Sequence, residues 1–161
     1  MLTQARLKEL LVYDPETGLV AQKPRSGVSD TRFRKGAMHS KGYRQIGVLR
    51  RPMLVHRVAF LYMLGRWPVA AVDHINGDRS DNRWCNLREA TPQQNLCNSG
   101  LRSDNTSGIK GISWEAAKKR WRAEIWHEGK KYYVGVGSNL AQLQAKLTQR
   151  RQELHGDFAR P

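Results

Sequence analysis

Only two cysteines, Cys85 and Cys97, occur in the 161 residues, and no CxxC pair is present. That scarcity excludes a disulfide framework and a four-cysteine metal knot, so no structural zinc is expected and the thiols read as buried or incidental. Long apolar runs are missing too, so no segment reads as membrane-spanning, and the start MLTQARLKELL lacks the apolar core of a signal peptide. A soluble cytoplasmic chain with no membrane partner is the expectation. Acidic residues are also scarce: 14 Asp and Glu stand against 28 Lys and Arg, a formal charge of +14. Such an excess points to a polyanion partner. The cations are spread along the chain, as in Arg32-Phe33-Arg34-Lys35, Arg50-Arg51, Lys118-Lys119-Arg120 and Arg150-Arg151, so no single tail supplies them.

The length suits one ordinary domain or two small modules with thin cores. Thr3 followed by Leu7, Leu10 and Leu11 at helical spacing predicts a short capped helix, which Asp14-Pro15-Glu16-Thr17-Gly18 ends with turn chemistry. Leu19 to Gln22 is a short strand candidate, and residues 23–41 read as an exposed basic loop. Tyr43, Ile46 and Val48 before Arg50-Arg51-Pro52, with Met53, Leu54 and Val55 after it, predict a hairpin. An apolar helix over residues 56–64 follows, closed by Gly65. A strand over residues 70–73 then enters the turn-rich run His74-Ile75-Asn76-Gly77-Asp78, and a second strand lies near Leu87-Arg88-Glu89. Thr91-Pro92 opens a helix over residues 93–98. Residues 99–108 read as a linker, and three strands with a turn at Glu128-Gly129 precede a helix marked by Leu140, Leu143, Leu147 and Leu154.

Asp73 and His74 are adjacent on the first of the two central strands. In extended backbone their side chains face opposite ways, so a carboxylate able to bind metal stands beside an imidazole able to address a water. Such a pair alone says little. The whole run VDHINGDRSDNRWCNLREATPQQN adds Asn82, Asn86 and Asn95 on a strand, loop, strand, helix frame.

Over residues 54–98 this run resembles the HNH endonucleases, especially phage and intron-borne members with a DHxNGDxxDNRxxNLR core. The resemblance implies an α+β chain with a ββα-metal (His-Me finger) nuclease core. In it, Asp73 and Asn95 hold one divalent ion, His74 activates water, and Asn86 orients the His74 ring. Asn95 stands where many relatives carry a final histidine. An amide oxygen is a hard neutral ligand, which favours Mg²⁺, with Mn²⁺ as a substitute. His56-Arg57 resembles a recurring family feature that supports the site or meets a phosphate, and Arg79, Arg83 and Arg88 flank the loop as candidate phosphate contacts.

Ser107-Gly108-Ile109-Lys110-Gly111-Ile112-Ser113-Trp114, Lys119-Arg120-Trp121-Arg122-Ala123 and Lys130-Lys131-Tyr132-Tyr133-Val134-Gly135 resemble the AP2 DNA-binding domain. That likeness implies a three-stranded antiparallel sheet read into duplex DNA, with a helix packed behind it. Strand alternation puts Arg120 and Arg122 on one face and Trp121 and Ala123 on the other, with Lys110 and Trp114 joining the DNA face. The expected organisation is a supporting segment over residues 1–53, the nuclease core over 54–98, the linker over 99–108 and the AP2-like module over 109–158. The function implied is hydrolysis of phosphodiesters in double-stranded DNA to 5′-phosphate and 3′-hydroxyl ends, by a monomer or homodimer in a bacterial or phage-infected cell. A non-catalytic sequence-selective DNA-binding regulator and a structured-RNA binder are the alternatives.

Overall fold

A computed structural model describes residues 2–24, 32–101 and 103–159, so the expected basic loop lies partly outside the described residues. The chain divides at Ala90/Thr91 into two compact units. The expected linker over residues 99–108 therefore falls inside the second unit. There Asn105 and Ser107 tie it back to the carbonyl of Ile109.

In the first unit, α1 (Gln4–Leu10) starts where Thr3 Oγ1 accepts from the Arg6 amide at 3.3 Å. It leads into β1 (Leu11–Tyr13), which pairs antiparallel with β2 (Val20–Gln22). A second sheet has the order β3 (Ala37–Met38), β4 (Arg44–Val48), β5 (Arg51–Leu54). The short β3 falls within the segment read from sequence as loop, because two residues are too few to show alternation. The β4–β5 turn is carried by Leu49 and Arg50, at φ 50° and 63°, rather than by Arg50-Arg51-Pro52. Positive φ at both central positions is the type I′ pattern of a two-residue hairpin, which excludes proline, with its fixed negative φ, from the turn itself. Pro52 sits on the edge strand β5, where a missing N–H is tolerated.

Helix α2 (Val55–Leu64) ends at Gly65 in the left-handed region. Its Val55, Val58, Ala59, Phe60 and Leu61 bury against Leu7, Leu11, Tyr13 and Val20, with Val72 and Leu87 in the same cluster. Each fully buried Leu or Val contributes about 1.5–3 kcal/mol of transfer energy. That core carries the antiparallel pair β6 (Ala71–His74) and β7 (Leu87–Ala90), joined by the turn-rich loop.

The tip of the β1–β2 hairpin packs onto this loop. Gly18 has φ +69°, and a Cβ there would stand 2.5 Å from both the Asn82 carbonyl carbon and the Arg83 amide nitrogen. The Trp84 amide donates to the Pro15 carbonyl at 2.8 Å. Gly18→Ala is therefore expected to cost more than about 1 kcal/mol, since alanine meets both a positive φ and backbone atoms it cannot displace. A denaturant midpoint equal to that of the parent chain would contradict it.

In the second unit, Thr91 and Gln94 form a reciprocal capping box at the start of α3 (Pro92–Cys97). Strands β8 (Ile112–Glu115), β9 (Arg120–His127) and β10 (Lys130–Gly137) make an antiparallel sheet of order β10-β9-β8. Helix α4 (Leu140–His155) packs on one face through Leu143 and Leu147, against Ile112, Ala123 and Ile125. The register of β8 with β9 sets Ser113 opposite Arg122 and Trp114 opposite Trp121. None of the described helices is long and apolar enough to cross a membrane.

Candidate active site

Asp73 and His74 end β6 and are each 4% exposed. β pairing places Asp73 directly across from Arg88 and His74 across from Leu87. The Arg88 guanidinium donates to Asp73 Oδ2 from Nε at 2.9 Å and from its terminal nitrogen at 2.8 Å. Arg88 was a candidate phosphate contact by sequence. In the structure it is instead a largely buried partner of the carboxylate.

His74 Nε2 lies 3.3 Å from Asn82 Oδ1. The resemblance assigned Asn86 to this ring, but the Asn86 amide is engaged elsewhere. Its Nδ2 donates to Asn76 Oδ1 at 3.0 Å and to the Asp81 carbonyl at 2.8 Å, and its Oδ1 accepts from the Asn76 amide at 2.9 Å. Asn86 thus staples the loop, and Asn82 is the side chain at the ring. Asn76 and Asp78 add local side-chain to backbone bonds that fix the turn. In sequence Asn82 stands with Asn86 and Asn95 downstream of His74 with no role of its own, and its burial at 2% exposure is what separates it from its neighbours in the loop.

The imidazole sits in an aromatic cluster. His56, at the start of α2, lies edge-on to His74 with ring centroids 5.2 Å apart, and Tyr43 lies 5.1 Å from His56 and 6.0 Å from His74. Arg79 stacks over Tyr43 at 4.9 Å and donates to the Lys41 carbonyl at 2.9 Å. Burial lowers the pKa of His74, opposed by the hydrogen bond to Asn82 and by the charges of Asp73, Asp78 and Asp81. The ring is therefore neutral near pH 7, the form that can accept a proton.

Burial, and then the nearby charges of His74 and Arg57, push His56 from 6.5 down to about 3. The unfolded chain consequently takes up this proton first as pH falls. The stability present above pH 6.5 is lost progressively between 6.5 and about 3, at about 1.4 kcal/mol per pH unit. Urea unfolding is expected to show a steeper acid loss for the parent chain than for His56→Phe over that window. Parallel curves would mean that His56 is not buried as a neutral ring.

The remaining cations sort unevenly. Arg57 is half-buried with its guanidinium 6.0 Å from the Trp67 ring centre. Arg83, exposed on the loop, grips both carboxylate oxygens of Asp81 at 2.9 and 2.6 Å, and so is already partly neutralised. Asn95 is exposed on α3, in the second unit. Among the described residues, no three His, Cys, Asp or Glu side chains cluster so as to hold a metal ion.

In the second unit, the sheet face opposite α4 carries Arg120, Arg122, Glu124 and Trp126, because Trp121, Ala123 and Ile125 turn to the core. Arg120 pairs with Glu115 at 2.9 Å, and Lys131 with Glu124 at 3.1 Å. Trp126 and Tyr133 are 61% and 60% exposed, with Lys131 over the first and Arg122 over the second. Two of the expected DNA-face residues sit elsewhere. Trp114 packs edge-on against Trp121 at 4.9 Å on the helix side. Lys110 Nζ donates to the carbonyls of Leu96, Cys97 and Ser99 at 2.7–3.0 Å, which caps the C-terminal end of α3. Period-two alternation bears on only one of the two: Lys110 lies before the strand starts, whereas Trp114, two residues after the buried Ile112, shares its face and that of its cross-strand partner Trp121.

The HNH endonuclease family matches residues 53–97, a span that includes β6, β7 and α3. Protein 3.8 of Escherichia phage T7 is 38% identical over 89 residues, covering 55% of this chain and 73% of that protein. An uncharacterized HNH endonuclease of Acanthamoeba polyphaga mimivirus is 33% identical over 113 residues, covering 68% of this chain and 57% of that one. No solved structure matches.

Proposed function

From a chain that carries an HNH endonuclease domain and belongs to the same family as protein 3.8 of phage T7, we propose a metal-dependent DNA endonuclease that leaves 5′-phosphate and 3′-hydroxyl ends. The observation that carries this reading is the pairing at the end of β6 of a buried carboxylate with a neutral, hydrogen-bonded imidazole. His74 acts as the general base, taking the proton of the attacking water. Asn86 keeps the loop closed behind it through Asn76 and Asp81.

The donors suit a hard divalent ion that keeps water and phosphate oxygens, rather than one caged by protein. Asp73 would hold it through a carboxylate oxygen, and Asn95, inside the family-matched span, would add an amide oxygen. This set favours Mg²⁺, with Mn²⁺ as a substitute. When bound, the ion supplies positive charge to the phosphate and to the departing 3′ oxygen. Arg88, by holding Asp73 Oδ2, fixes the direction in which the carboxylate points.

The AP2-like sheet is proposed to grip duplex DNA through Arg120 and Arg122 on its exposed face. Removing either should weaken binding and flatten its dependence on salt by about one unit of slope. Binding that is equally salt-dependent in the Arg122→Ala chain would take that residue off the DNA.

The hold of Arg88 on Asp73 is also the observation that favours the second reading, a DNA-binding regulator without catalysis. Supercoiled plasmid incubated with the full chain and Mg²⁺ separates the two: nicked or linear product is expected, and intact plasmid under conditions of DNA binding selects the regulator.

A further inference from the structure

We propose that Asn82 is the positioning residue for His74, holding the imidazole in its Nε2–H tautomer, and that Tyr13 holds Asn82 from outside the family-matched span. The catalytic consequence rests on the nuclease reading; the tautomer does not.

The amide of Asn82 has only one orientation consistent with its neighbours. Its Nδ2 donates to the Ser80 carbonyl at 3.2 Å, so Oδ1 is the atom turned toward the ring. An amide oxygen only accepts, so the hydrogen between them belongs to His74 Nε2. A neutral imidazole carries one N–H, which leaves Nδ1 as the basic nitrogen. The edge-on ring of His56 packs beside it and limits rotation of the imidazole.

Asn82 is in turn fixed by the β1–β2 hairpin. The Tyr13 hydroxyl, buried, donates to the Asn82 carbonyl at 2.7 Å. Gly18 closes on the same peptide from the hairpin tip, where a Cβ would stand 2.9 Å from that carbonyl oxygen. Hairpin, peptide, amide and imidazole thus form one continuous contact from Tyr13 to His74. No residue of the hairpin lies within 53–97, the span matched to the family.

The test is a nitrogen-15 spectrum of the histidine rings in the full chain at neutral pH, with His74→Gln used to assign the signal. His74 is expected to carry its proton on Nε2. Asn82→Ala should mix the two tautomers and lower kcat by about 100-fold with DNA binding kept, the size of loss that misplacing a reacting group brings. Asn82→Asp retains the acceptor and should restore the Nε2–H form and part of the rate. Tyr13→Phe should lower kcat with KM unchanged. A parent chain with the proton on Nδ1 overturns the proposal, as does an Asn82→Ala chain that keeps the parent tautomer. If Asn82→Ala does not fold, the parent and Asn82→Asp spectra decide. A chain with the expected tautomer but no cleavage supports the positioning and counts against the nuclease reading.

Discussion

His74→Ala is expected to lower plasmid cleavage by about 10²–10⁴-fold, the range a positioned general base contributes, while leaving DNA binding intact. The ring is nearly fully buried and neutral, and Asn82 and the rings of His56 and Tyr43 surround it. Phosphate contacts are assigned to the half-buried Arg120 and Arg122 of the sheet, so truncating the imidazole removes the base without touching the grip. Comparing cleavage in single turnover with binding at fixed salt separates the two effects. Full activity in the variant would reject the role given to His74, and loss of binding in step with cleavage would place His74 in the DNA contact.

Asp73→Ala should fail in two ways at once. It removes the carboxylate assigned to the ion, so cleavage should vanish at every Mg²⁺ concentration. It also takes from the Arg88 guanidinium, which is only 17% accessible as a side chain, the carboxylate it pairs with. Breaking a buried pair by deleting one partner costs about 3–5 kcal/mol, and for a unit of this size that lowers the melting temperature by more than about 10 °C. Asp73→Ala/Arg88→Met should recover much of the stability and none of the cleavage, because an apolar pair replaces the charges. Calorimetry and plasmid nicking together distinguish the outcomes. A single variant that melts like the parent would mean that the ion pair is not formed in solution.

Much of this fold is legible where spacing carries the signal. Thr3, Gly65 and Thr91-Pro92 mark helix ends because capping is local chemistry, and the alternation in β9 separates Arg120 and Arg122 from the core for the same reason. The adjacency of Asp73 and His74, read within the run VDHINGDRSDNRWCNLREATPQQN, pointed to the candidate site. What sequence could not supply is partnership at a distance. Tyr13 meets Asn82 across 69 residues, and nothing in either neighbourhood announces the bond. Arg79, Arg83 and Arg88 look equivalent as flanking cations, yet one stacks on Tyr43, one grips Asp81 and one holds Asp73. Asn86 and Asn82 are equally plausible ring partners by residue type, and only the register of the loop decides between them.

The hairpin seated on the Asn82–Arg83 peptide also sets what can be moved as a unit. A chimera carrying residues 53–97 alone would bring the strands and the base but leave behind the Tyr13 hydroxyl and the Gly18 contact that brace the loop. The portable piece is therefore discontinuous in sequence, and a graft should begin at α1. Recombination that exchanged only the motif between relatives would tend to yield folded chains with a loosely held base. The N-terminal hairpin and the motif are thus expected to be inherited together.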